Sequence, residues 1–97
     1  MSGRVKLDLN FPDFQAQLFA LEVNELKPLF KTLKKLSGMV WTDVYRDPGL
    51  NWEKVKSMEN TYTIRLSLQY RAVVCRNGDF LCFKSLHPDH DSAYGRK

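Results

Sequence analysis

The stretch from Tyr62 to Ser85 constrains the fold of this chain more than any other part. Tyr62-Thr63-Ile64-Arg65-Leu66 alternates apolar and polar side chains, the period of a strand with one buried face. Tyr70 to Arg76 is again β-rich, and Asn77-Gly78 then gives a strong hairpin signal because both residues accept positive φ. Asp79 to Ser85 returns as a third strand. This is an antiparallel meander that needs a cover on one face.

The turns set a register. With Asn77-Gly78 as a two-residue turn, Val74 faces Leu81, Ala72 faces Phe83 and Arg71 faces Lys84. With Ser67-Leu68-Gln69 as a three-residue turn, Arg65 faces Arg71 and Ile64 faces Ala72. Both registers sort the side chains the same way. One face collects Tyr62, Ile64, Leu66, Tyr70, Ala72, Val74, Leu81 and Phe83, a core face. The other carries Thr63, Val73, Cys75, Phe80 and Cys82, with Arg65, Arg71 and Lys84 in a row across three strands. Like charges directly opposite in a sheet are destabilising, so the row reads as a seat for a phosphate or an acidic partner. The alternative is that each cation splays into solvent beside a local carboxylate.

The cover comes from the first half. Val5-Lys6-Leu7-Asp8-Leu9 alternates as a strand, and Pro12-Asp13 opens a helix that Asn10 could cap. Phe14, Leu18, Phe19 and Leu21 lie on or near one side of it. In a second helix, from Glu22 to Ser37, Leu26, Leu29, Phe30, Leu33 and Leu36 recur at helical spacing, leaving Lys27, Lys31, Lys34 and Lys35 opposite. Pro28 either begins or kinks that helix, and Gly38 stops it. Residues 39–60 are less regular and suggest a short helical piece and a loop around the Pro48-Gly49 turn. The order β-α-α-β-β-β predicts an α+β domain, with a two-helix hairpin packed on one face of a mainly antiparallel sheet.

Length and composition agree with a single domain over residues 1–97 and exclude TIM barrels and full Rossmann domains. The net charge is +4, with the basic excess in the last two thirds. Two cysteines, Cys75 and Cys82, make no disulfide framework and no CxxC pair. They fall diagonally across the hairpin and read as small apolar residues. No run approaches the length of a membrane span, so a cytoplasmic protein without a membrane partner is expected.

After the last strand comes Leu86-His87-Pro88-Asp89-His90-Asp91-Ser92-Ala93-Tyr94. It holds both histidines of the chain. Their spacing matches no familiar metal site, so no metal and no cofactor are expected. His87 follows the strand immediately and lies near the cationic row, which favours proton transfer over a solvated tail. Metal-free RNA cleavage needs a base for the 2′-hydroxyl, cations for the phosphorane oxygens and an acid for the leaving 5′-oxygen. Arg65, Arg71 and Lys84 could supply the charge, and His87, His90 and Tyr94 the proton transfers.

Tyr62-Thr-Ile-Arg65-Leu-Ser-Leu-Gln-Tyr70-Arg71-Ala-Val-Val resembles the "iRi…yRvvy" strand pair of the RelE/ParE toxin superfamily. Gly49-Leu-Asn-Trp-Glu53-Lys54-Val-Lys56 resembles that family's approach to those strands, except that Ser57 stands where a glycine is usual. The terminal His and Tyr are similar too, though the segment is longer and more acidic. The resemblance implies a RelE-like microbial RNase fold and the toxin of a toxin–antitoxin pair, held by a cognate antitoxin. RelE-like members cleave mRNA in the A site of the 30S ribosomal subunit. ParE-like members act on DNA gyrase instead, and a ParE-like or inactive partner-binding homologue is the alternative. Carried over, the catalytic candidates are Arg65, Arg71, His87, His90 and Tyr94. Lys54, Lys56 and Lys84 are the phosphate-binding candidates, joined by Lys34 and Lys35 of the second helix.

Overall fold

The computed structural model describes residues 3–88. In chain order the elements are β1 (Lys6–Asp8), α1 (Pro12–Phe19), α2 (Val23–Leu36), α3 (Trp41–Arg46), β2 (Glu53–Lys54), β3 (Tyr62–Arg65), β4 (Tyr70–Asn77) and β5 (Phe80–Pro88). The sheet runs β1-β5-β4-β3-β2, with β1 parallel to β5 and every other pair antiparallel. This is the expected α+β arrangement; α3 is the short helical piece expected between residues 39 and 60, and the two-residue edge strand β2 is added before the meander.

Pro12 occupies the first turn of α1, where its missing N–H costs nothing. Phe11, not Asn10, takes the N-cap position; the Asn10 amide donates to Asp8 Oδ1 at 3.0 Å. In α2 the start is set by Glu25, whose Oε1 accepts from the Glu22 amide at 3.0 Å. Pro28 therefore lies inside the helix rather than at its start. Leu29, Leu33 and Leu36 are buried, Leu26 packs against them, but Phe30 is exposed. The Tyr70 hydroxyl donates to Glu25 Oε2 at 3.1 Å and ties α2 to the sheet. Phe14 of α1 meets Phe83 of β5 at 5.2 Å between ring centroids.

The sheet face beneath the helices is the one expected: Ile64, Leu66, Ala72, Val74, Leu81 and Phe83 are all fully buried. The turn between β3 and β4 also holds, with Arg65 opposite Arg71 and the Leu66 amide donating to Tyr70 O. The last hairpin differs. Asn77 pairs with Phe80, so the two turn residues are Gly78 and Asp79, and Gly78 alone has positive φ (64°). Glycine at the first central position is the type II′ pattern. Arg76 holds this turn, its Nε donating to Gly78 O at 2.7 Å. The pairing is displaced by two positions from the expected one, and a shift of two leaves every side chain on its face.

A second irregularity changes more. Val74 faces Phe83, but Val73 faces Ser85, so Lys84 is an extra residue in β5, a β-bulge. Strict alternation from Phe83 would point Ser85 and His87 into the core. The bulge reverses that, and Leu86 is the buried residue instead, at 4 % exposure. The Leu86 amide donates to Gln17 Oε1 of α1 at 2.8 Å. His87 consequently stands opposite Arg71, the place expected for Lys84. Lys84 is exposed at the bulge and is not the third member of the cationic row.

Candidate active site

Arg71 anchors the open face of the sheet. It lies in the middle of the fold between β3 and β5, and only 2 % of it is exposed. A buried guanidinium must be hydrogen-bonded or its desolvation is prohibitive. One terminal nitrogen donates to Thr63 Oγ1 at 2.7 Å, to the Asn51 carbonyl at 3.3 Å and to Glu53 Oε1 at 3.4 Å. Each acceptor has a local cause. Thr63 is on the Arg71 side of β3. Asn51 adopts φ 50°, a left-handed conformation that asparagine accepts more readily than most residues. Glu53 sits opposite Thr63 because residues 53 and 54 pair with β3 as an edge strand.

Arg65 faces Arg71 directly. The repulsion such a pair would feel is reduced because Arg71 reaches diagonally back to Thr63 and Glu53. Arg65 is half-buried and itself engaged, and it borders a hollow of about 300 Å³ with Thr32, Lys35, Ser67 and Leu68. On the other side of Arg71, half-buried His87 has Nε2 2.8 Å from Ser85 Oγ. Arg65, Arg71 and His87 therefore form a row across β3, β4 and β5, with Glu53 beside it.

The structure does not gather the remaining candidates into this row. Lys54 reaches 5.5 Å over the Tyr62 ring and donates to Met58 O at 3.4 Å. Lys56 is exposed, and with Glu53, Lys54, Val55, Met58, Thr61, Thr63 and Val73 it lines a larger hollow of about 720 Å³. Lys34 and Lys35 end α2, where cations complement the helix dipole; Lys35 Nζ is 2.8 Å from Asp47 Oδ2. His90 and Tyr94 lie outside the described residues. Among the described residues, no group of three or more His, Cys, Asp or Glu side chains is placed to hold a metal ion.

Two contributors, Thr63 and Asn51, escaped sequence reasoning as site members, and Glu53 entered only through the family resemblance, beside Lys54 and Lys56. Alternation placed Thr63 on the right face, but nothing in the sequence reports that its hydroxyl accepts from Arg71. Glu53 belongs to a segment whose resemblance to the family approach was visible, which was the available signal.

The chain is similar to a chain of an archaeal RelE–RelB complex from Pyrococcus horikoshii, with a TM-score of 0.59 and 20 % identity, over 91 % of this chain and 96 % of that one. It is similar to a chain of a YoeB dimer from Staphylococcus aureus, with a TM-score of 0.58 and 18 % identity, over 92 % of this chain and 100 % of that one. The chain has the RelE/YoeB fold. No family model and no curated protein matches the sequence. The RelE/YoeB fold accounts for the element order and for an open sheet face left uncovered by helices. Among the described residues no helix is long and apolar enough to cross a membrane.

Proposed function

We propose that this chain is the toxin of a toxin–antitoxin pair and acts as an endoribonuclease on mRNA in the ribosomal A site. The observation that carries the reading is the buried Arg71 guanidinium, with Glu53 on one side and His87 on the other, on the open face of the sheet. In this reading Glu53 takes the 2′-hydroxyl proton, since its half-exposed carboxylate can be reached from solvent. Arg65 holds the phosphorane oxygens as charge develops, and buried Arg71 adds its positive charge from beneath the face. His87 protonates the leaving 5′-oxygen, its ring oriented by Ser85.

The spacing allows such a division of labour. Glu53 on β2 and His87 on β5 are three strand spacings apart, roughly 14 Å between backbones. Exposed Lys56, on the rim of the hollow that Glu53 and Thr63 also line, would meet a flanking phosphate of the strand. The RelE–RelB complex among the similar structures supports an antitoxin as the protein partner.

The test is cleavage of a short mRNA on purified ribosomes with an empty A site. Wild-type chain should leave a 2′,3′-cyclic phosphate at the cut, and Arg71→Ala, Glu53→Gln and His87→Ala should each slow it by at least about 100-fold. Growth arrest on induction without any cut in ribosome-bound mRNA would sink the reading.

A further inference from the structure

Apart from the site around Arg71, the open face carries a second row. Asp8 of β1 is in register with Cys82 of β5, and Cys82 is in register with Cys75 of β4. The three side chains therefore share one face at matching positions on three adjacent strands. Both cysteines are free; Cys82 is buried and Cys75 half-buried. Cys82 thus has Cys75 on one side and Asp8 on the other, and both bear on its ionisation. In an antiparallel ladder, residues directly opposite have Cα atoms about 4.5–5.5 Å apart. A disulfide accepts roughly 4.4–6.8 Å.

We propose that Asp8, Cys82 and Cys75 form a peroxide-oxidisable dithiol site, in which Cys75 is the attacking thiol, Cys82 the resolving thiol and Asp8 the acceptor of the resolving proton. Cys75 is the thiol that solvent reaches. Its sulfur attacks the O–O bond of a hydroperoxide and becomes a sulfenic acid; the alkoxide or hydroxide that leaves takes up the thiol proton. Cys82 Sγ then attacks Cys75 Sγ and the S–O bond breaks; Asp8 takes the Cys82 proton and passes it to the departing hydroxide, which leaves as water. Two thiols and one hydroperoxide give one disulfide, one alcohol (water, for hydrogen peroxide) and one water. Asp8 matters because Cys82 gives up its proton reluctantly: burial first, then Cys75 and Asp8, push its pKa up to about 11.

The experiment uses the full reduced chain and hydrogen peroxide, followed by alkylation and peptide mass analysis without reductant. The expected product is an intramolecular Cys75–Cys82 linkage, with a mass loss of about 2 Da. Cys82→Ser should stop at a sulfenic acid on Cys75 that dimedone traps. Asp8→Asn should leave dimedone-trappable sulfenic acid forming at the wild-type rate but slow the linkage at least about tenfold. Wild-type chain that accumulates oxidised Cys75 with Cys82 still alkylatable, or that links only between two molecules, overturns the proposal. This outcome is independent of whether the chain cuts RNA.

Discussion

Glu53 Oε1 lies 3.4 Å from the Arg71 guanidinium, and the two partners differ sharply in burial: the arginine side chain is 2 % exposed and the carboxylate side chain 51 %. The pair is therefore a buried cation served from the solvent side by a half-exposed acid. The acid is replaceable for folding in a way the arginine is not.

Glu53→Gln should accordingly separate stability from chemistry. Loss of a half-exposed ion pair costs about 1 kcal/mol or less. Arg71→Ala removes donors to three acceptors and opens a gap in the sheet, which should cost about 2–4 kcal/mol. Urea denaturation of both variants, beside the cleavage assay, checks the contrast. Equal destabilisation by the two changes would mean that the carboxylate is part of the scaffold.

Asp47 should make the chain acid-sensitive. The Lys35 ammonium bonded to it, helped by the Gly49 and Leu50 amides, holds its carboxyl below the ordinary value of 3.8 against the opposing effect of burial. A carboxyl with a lowered pKa in the fold stabilises above its unfolded value, and that contribution disappears as pH falls below 3.8. The same carboxylate accepts from the Gly49 amide at 2.8 Å, fixing the Pro48-Gly49 turn. Asp47→Ala should cost about 1–2 kcal/mol at pH 7 and flatten the acid limb of the stability curve. Asp47→Asn should keep most of the turn but lose the pH dependence. Thermal melts from pH 3 to 7 measure both.

At the other end of the pH scale Cys82 contributes. Its thiol is raised from 9.0 to about 11 in the fold, so the unfolded chain releases the proton first. Below pH 9 both states are neutral there and nothing is gained or lost. Between about 9 and 11 stability should fall with rising pH, by on the order of 2 kcal/mol. Cys82→Ala should remove that part of the slope in denaturation series run from pH 8 to 11.

Among the phosphate-binding candidates, Lys56 and Lys35 should behave differently. Lys56 is exposed on the rim of the larger hollow, whereas Lys35 is engaged with Asp47. Lys56→Ala should weaken single-stranded RNA binding and reduce the slope of log K against log salt by about 0.7. Lys35→Ala should change that slope less and lower stability instead. Fluorescence anisotropy at several salt concentrations distinguishes them.

The faces of β3 and β4 were legible because a side-chain period of two survives a register error of two. The pairing within the last hairpin was not, since Asn77 and Gly78 both suit positive φ and only Gly78 uses it. The bulge at Lys84 was invisible for a different reason: it satisfies the burial of Leu86 against α1, a tertiary demand with no local pattern. Phe30 fits the helical stripe of α2, yet the stripe is wider than the contact it makes. Arg65, Arg71 and His87 could be nominated from charge and position, and the histidine reached Arg71 by a route the sequence did not reveal. Glu53 needed the pairing of a two-residue strand with Thr63, too short for any periodicity.

The extra residue in β5 also says something about how this chain could change. Along a strand, orientation is binary, and one added residue flips everything after it. Removing Lys84 would alter neither the histidine nor the leucine that follow, yet it would turn His87 inward and Leu86 out to water. A length change that a loop would absorb silently therefore acts here like a shift of reading frame. In a lineage of such chains, this short run is where an insertion or deletion, rather than a substitution, would silence a site while every one of its residues remained in the sequence.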